Sequence, residues 1–327
     1  MFVPHSFTLA LLMMIASAVC FGSWANTYKS AKNYRFELFY WDWALGIFLI
    51  SLVLAFTMGS TAGGPASFLN NVHAADTSNI LSTLVAGAIF TPASLLLVAG
   101  IDDAGLAIAF PVSIGIALVI GVVLGYILQP KGSAGLLAAG VISAVIAVVL
   151  DGKAYGNLSG TRQSVTKKSI ITCIVSGVLM GLWVPFVTRS MTRGNMLGPY
   201  SVAVFMTLGV LLSCFVWNTS FINKPLVGEP VHFGDFFHGP ASGHLLGLLG
   251  GCIWGIGNVF NLVAARFSGV PISYAIGKSA PMVAALWGLL AWKEFHGANH
   301  CAKTYLALMF FFYLLAILLI SQANTAS

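Results

Sequence analysis

Trp254, Asn258 and Asn261 are spaced i, i+4, i+7, which places one aromatic ring and two amides on a single helical face. Such a face can stack against a polar solute and hydrogen-bond it. The competing reading is hydrogen bonding between helices, at about 1 kcal/mol per contact. Phe90 and Ser94 occupy the equivalent places in an earlier apolar segment. Tyr274 and Lys278 also share a face, and Lys278 lies seven residues past Pro271, hence ~10 Å along a helix. It is the only charge expected well inside an apolar segment, where a lysine either lines a cavity and donates to substrate oxygens or snorkels to the surface. Trp24, with Asn26 beside it, and Trp183 fall near segment ends, where binding and interfacial anchoring are both open.

The elements that position these residues follow from composition. Hydrophobic residues make up 58% of the 327 and charged ones 7%, far from the quarter or so of a soluble domain. Spans of ~20 apolar residues are predicted near 6–27, 43–61, 80–100, 104–128, 133–151, 169–189, 200–218, 242–264, 271–292 and 303–322. The first could be taken for a secretory signal, but Met1 to Ser6 carries no Lys or Arg, and Cys20 lacks a lipoprotein context. Four cysteines fall in spans and Cys301 in a loop, so no disulfide framework is expected.

The net charge of +6 reflects topology rather than nucleic acid. Loops after odd-numbered spans hold Lys29, Lys32, Arg35, Lys153, Arg162, Lys167, Lys168, Lys224, Lys293 and Lys303; those after even-numbered spans hold Lys131, Arg189, Arg193 and Arg266. The bias puts the odd loops in the cytoplasm and both termini outside the cell (inner) membrane.

A shift of 164 carries Gly87, Phe90, Ser94, Gly105 and Phe110 onto Gly251, Trp254, Asn258, Gly269 and Tyr274, and a shift of 159 carries Gly22 and Trp24 onto Gly181 and Trp183. The expected fold is an all-α membrane protein of ten transmembrane helices in two inverted five-helix repeats, residues 1–151 and 169–327, joined by a cytoplasmic linker, 152–168. Five spans per half, an odd number, force the inversion, an architecture of many secondary transporters with solute held where the halves meet.

Other chemistry finds little support. The linker has Gly156 and Gly160 but no phosphate-binding Gly-Lys-Ser/Thr ending, and the irregular spacing of His232, Asp235 and His238 reads as a solvated loop rather than a metal site. No paired carboxylates, His cluster or activated nucleophile lies at depth, so an enzyme is not expected, nor any cofactor or metal. Asp42, Asp102, Asp103, Asp151 and Glu294 are placed near hydrated span ends, which leaves a coupling proton open. Glycine ridges at Gly247, Gly251 and Gly255 and at Gly121 and Gly125 suit close helix packing, and Pro92, Pro111, Pro185 and Pro281 are expected to interrupt spans.

Cys20-Phe-Gly-Ser-Trp-Ala-Asn26, Arg35-Phe-Glu-Leu-Phe-Tyr-Trp-Asp42, Lys224-Pro-Leu-Val-Gly-Glu-Pro230 and, above all, the stretch Ile272 to Phe295 resemble the drug/metabolite transporter superfamily, in its glucose/ribose porter and ureide permease branch. The resemblance implies a ten-span carrier importing a small polar metabolite, a sugar or a ureide- or nucleobase-like compound, by alternating access; export of metabolites or drugs is the alternative. Lys278 departs from the resemblance, which leads one to expect an uncharged residue such as Gln there. The expected solute-binding residues are Trp24, Asn26, Phe90, Ser94, Phe110, Trp183, Trp254, Asn258, Asn261, Tyr274 and Lys278.

Overall fold

The structure, a computed structural model, describes residues 1–32, 34–61, 67–158, 166–226 and 228–325, without the side chains of Leu106, Ala107, Phe110 and Thr325. Gly160 and Arg162 of the expected linker, and the Phe110 ring, lie outside them. Where water is absent, backbone amides must be satisfied within their own segment, and the described residues accordingly form helices without strands. They are α1 (Phe7–Ser23), α2 (Ala25–Ser30), α3 (Phe36–Phe56), α4 (Phe68–Ala74), α5 (Thr77–Ala104), α6 (Leu106–Leu128), α7 (Ala134–Gly156), α8 (Lys167–Thr192), α9 (Pro199–Cys214), α10 (Trp217–Asn223), α11 (Gly234–Phe237), α12 (Ala241–Ser268), α13 (Val270–Gly277), α14 (Ala280–Leu290) and α15 (His300–Thr325).

Nine helical segments among the described residues are long and apolar enough to cross a membrane: α1 with α2, α3, α5, α6, α7, α8, α9 with α10, α12 and α15. This is a multi-pass membrane protein. The segment expected as the ninth span, 271–292, is instead broken into α13 and α14, of 8 and 11 residues. Pro281 offers no N–H to the carbonyl of Gly277 and crowds it, and the chain turns through Lys278 (φ −72°, ψ 3°) and Ser279 (φ −78°, ψ 2°). Pro92, Pro111 and Pro185, also expected to interrupt, lie inside continuous helices. Helix α8 packs extensively against both α5 and α6, so all three proline-bearing helices lie in one packed group.

The boundary of the second span also differs. Helix α3 starts at Phe36 rather than at residue 43, which brings Asp42 and Trp43 inside it.

Helices α5 and α12 have 28 residues each and end alike, at Gly105 (φ 78°, ψ 161°) and Gly269 (φ 90°, ψ 152°). That backbone is open to glycine and strained for other residues, so one residue suffices to turn each long helix into the next. Packing pairs are α3 with α9 and α12, α5 with α8 and α9, α6 with α7 and α8, α7 with α15, and α1 with α12, α13 and α14.

Glycines set the closest approaches. A Cβ on Gly251 would collide with Trp43 O of α3, one on Gly87 with Met206 O of α9, and one on Gly22 would lie 2.5 Å from Ala280 O. Gly247 and Gly255 meet Asp42 and Ile50 of the same α3, while Gly121 and Gly125 admit the Tyr274 ring and Pro271. The glycine ridges are therefore packing surfaces.

Replacing Gly251 by Val should lower the melting temperature in detergent, by overpacking of about 1–3 kcal/mol or more. Gly115→Ala in α6, with nothing within 4 Å of the new methyl, should leave the melting temperature unchanged or raise it, through a stability gain of up to about 1 kcal/mol. Equal melting curves for the two variants would contradict the close approach of α3 and α12.

Candidate solute-binding site

Helices α1, α3, α5, α8, α12 and α13 converge on one aromatic cluster. Phe90 and Trp254 have ring centroids 5.2 Å apart, and Trp43 lies 5.3 Å from Trp254 and 6.4 Å, stacked, from Phe90. Phe21 is 5.1 Å from Trp254 and Trp24 is 5.4 Å from Trp43. Trp183 extends the cluster at 6.2 Å from Phe90, and Tyr274 adjoins Trp183 at 5.6 Å. Residues from four widely separated stretches of sequence thus meet in one place. The Tyr274 hydroxyl is committed to the backbone, donating to Ala117 O (3.2 Å) and Met180 O (3.1 Å).

Around these rings, buried donors lack acceptors. Trp43 Nε1, Trp183 Nε1 and the Asn258 amide nitrogen Nδ2 are sealed from solvent and have no hydrogen-bond partner. Asn258, 2% exposed, sits one turn beyond Trp254. An unmade buried hydrogen bond costs about 1–3 kcal/mol, so three in one cluster need an explanation outside simple packing. Lys278, at the break between α13 and α14, places Nζ 5.0 Å from the Tyr274 ring centroid.

Of the expected residues, Trp24, Phe90, Trp183, Trp254, Asn258, Tyr274 and Lys278 come together. Ser94 lies one turn from Phe90 and is hydrogen-bonded to Tyr40 (2.8 Å). Asn261 is spent on structure: its Nδ2 donates to Ser273 O (2.9 Å), and Ser273 Oγ donates to Asn261 O (2.6 Å), tying α12 to α13. Asn26 stands apart, accepting from Trp292 Nε1 (2.6 Å) at a helix end. Trp43, Tyr40 and Phe21 were not anticipated. A start for the second span at residue 43 hid the face that Phe36, Tyr40 and Trp43 form at i, i+4, i+7, the same spacing that drew attention to Trp254.

Two carboxylates expected in hydrated positions are buried. Asp42 is 5% exposed and its Oδ2 accepts from the Tyr34 hydroxyl (3.0 Å), with His244 Nδ1 2.8 Å from the same oxygen. The longer α3 carries it under α12. Burial, and then the charge of Asp42, push the Tyr34 hydroxyl's pKa up, which keeps it a donor. Asp151 is 4% exposed, with Oδ1 unpartnered, because α15 covers that face of α7.

The end of the molecule beyond Lys278 is held by side chains: Lys29 pairs with Glu294 and lies 4.3 Å over Trp292, and Trp287 Nε1 donates to Ser23 Oγ (2.9 Å). At the opposite end a cleft of about 360 Å³ opens between Asn71, residues 194–198 and Arg266. Its Asn71 is already occupied, accepting from Gly198 N and Ser201 Oγ and donating to Met196 O. The aromatic cluster, with donors unspent, is the stronger candidate.

Asn258→Leu should leave the melting temperature equal or higher, since it removes an unsatisfied amide worth about 1–3 kcal/mol, yet reduce solute transport. Asn261→Ala should do the reverse in order of severity, lowering the melting temperature first. Melting curves and uptake on both variants check this; a strongly destabilised Asn258→Leu would show that its amide is used in packing.

Residues 191–323, less than half of the chain, match the family model of the ureide permeases; the stretch includes Trp254, Asn258, Asn261, Tyr274 and Lys278. No curated protein matches the chain significantly. A solved structure described as "Crystal structure of protein" is similar at a TM-score of 0.64 and 16% identity, covering 96% of this chain and 98% of that one. At that identity the likeness concerns the fold alone.

Proposed function

We propose that this protein is a secondary carrier that imports a small ureide-type metabolite by alternating access, with the aromatic cluster as its binding site. The observation that carries this reading is the set of buried, unpartnered donors on Trp43, Trp183 and Asn258 within stacked rings. A planar solute rich in carbonyl oxygens satisfies them and slides between rings. A sugar, whose hydroxyls ask for acceptors as much as donors, complements them less well. The partial match to the ureide permeases supports a transporter rather than an enzyme.

Alternating access on this reading rests on two inverted five-helix halves, with α13 and α14 together forming one broken crossing and ten crossings in all. Several observations support the duplication. Helices α5 and α12 coincide in length and in their glycine turns at the shift of 164. Gly87 packs on α9 as Gly251 packs on α3, and Gly22 packs on α14 as Gly181 packs on α6. Phe90 and Trp254, equivalent under the shift, touch each other where an axis between the halves would pass. A break at Lys278 beside the cluster matches the discontinuous helices that line carrier sites at mid-membrane.

The loop charges favour cytoplasmic odd-numbered loops and termini on the outer face of the cell membrane. In support, each terminus lies against a loop that follows an even-numbered span: Ser133 N donates to Ala323 O (2.8 Å), and Gly198 lies against Met1.

Uptake of labelled allantoin, uracil, glucose and ribose by proteoliposomes, with and without an inward proton gradient, tests the proposal. Allantoin or uracil should enter and the sugars should not. Accumulation above equilibrium only with the gradient would identify a coupled carrier, and equilibration regardless of it a facilitator. Efflux of these solutes without uptake would favour an exporter, and transport of sugars alone would overturn the ureide assignment.

A further inference from the structure

Lys278 distinguishes the charge of the solute. We infer that the site takes anionic ureides, those bearing a carboxylate, with Lys278 as the group that binds the carboxylate; the inference rests on the carrier reading above.

An ammonium inside a membrane protein is costly unless an anion answers it. No ion pair of Lys278 occurs among the described residues. The nine carboxylates of the chain are engaged or elsewhere. Asp42 is bound by Tyr34 and His244, Glu294 by Lys29, Glu37 by Arg35, Asp76 by Asn195 and Asp103 by Ser169. Asp102 is in the last turn of α5, Asp151 is in α7 beneath α15, and Glu229 and Asp235 are exposed between α10 and α12. Tyr274 offers Nζ only the face of its ring, 5.0 Å away, which attracts a cation without neutralising it.

Two helix ends meet at the break, the C-terminus of α13, which Lys278 caps, and the N-terminus of α14 at Ala280, so their partial charges oppose each other and leave the ammonium as the net charge there. Through Tyr274 the break adjoins the cluster that holds the unpartnered donors of Trp43, Trp183 and Asn258, so the region offers one ammonium and several hydrogen-bond donors. Its complement is a solute with several carbonyl oxygens and one negative charge. A neutral cyclic ureide satisfies the donors and leaves Lys278 unpaired; its ring-opened carboxylate satisfies both.

Hydantoin and N-carbamoylglycine form such a pair, differing by the addition of water across one ring bond. Their binding to the purified full-length protein can be followed by quenching of intrinsic tryptophan fluorescence, since Trp43, Trp183 and Trp254 line the site. The wild type should bind N-carbamoylglycine roughly tenfold or more tighter than hydantoin, by the strength of a desolvated charge pair. Lys278→Gln should abolish that preference while keeping hydantoin binding, which also reports that the variant is folded, and Lys278→Arg should retain the preference. Equal binding of the two compounds by the wild type, or an unchanged preference in Lys278→Gln, would overturn the inference and leave the carrier reading standing. Binding of neither compound would overturn both.

Discussion

Hydrocarbon offers no partner for a hydrogen bond, and the fold is organised by that lack. Every spanning segment closes its amides on itself as a helix, and helices must then hold together without a hydrophobic driving force between them. Close backbone contact takes its place, which is why Gly251, Gly87 and Gly22 meet main-chain atoms of their neighbours. The same constraint singles out positions where hydrogen bonding is left incomplete. Among the described residues Trp43, Trp183 and Asn258 are three such positions within one aromatic cluster, while others, such as Trp41, Asp151 and Tyr313, lie elsewhere in the fold.

Those incomplete bonds carry a cost of about 1–3 kcal/mol each, set against about 0.5–1.5 kcal/mol for each aromatic pair beyond its burial. The cluster has enough ring contacts to offset its unpartnered donors. A site with its donors satisfied internally, as Asn261 is by Ser273, would be more stable and would have nothing left for a solute. On the carrier reading, stability and recognition compete at neighbouring positions on α12, with Asn258 on one side and Asn261 on the other, although both are asparagines on one helical face.

Most of the helical layout was legible in sequence because runs of apolar residues leave few other structures possible in a bilayer. Phe90, Trp183, Trp254 and Tyr274 were legible through the internal shift, which brings an aromatic residue onto an aromatic residue. Trp43 was not, since hydropathy places a span's start by its polar residues, and Asp42 set it too late. The burial of Asp42 depends on Tyr34 and His244, the latter 202 positions away, a pairing that no local pattern records. Which asparagine is free and which is bonded was equally hidden, because it depends on how far α13 lies from each. The break at Lys278 was partly visible as Pro281, but three other prolines with the same local chemistry sit in unbroken helices, so packing decided the matter.

The joints of the molecule differ in kind, and the difference bears on how a carrier of this shape can move. Where α3 meets α12 and α5 meets α9, glycines bring main chain against main chain, and sliding either pair would force backbone atoms through one another. Helix α1 touches α14 in this way only at Gly22 and Ala280, beside the break. Beyond that point Ser23 of α1 meets Trp287 of α14, and α2 meets the segment after α14 through Lys29 with Glu294 and Asn26 with Trp292, at largely exposed positions. An exposed ion pair contributes about 0–1 kcal/mol, and hydrogen bonds at such positions can be exchanged for water. On the carrier reading, a solute that answers the unpartnered donors at the cluster gains binding energy of the size these exposed contacts hold, so this is a joint it can part, with Gly22 against Ala280 as the pivot.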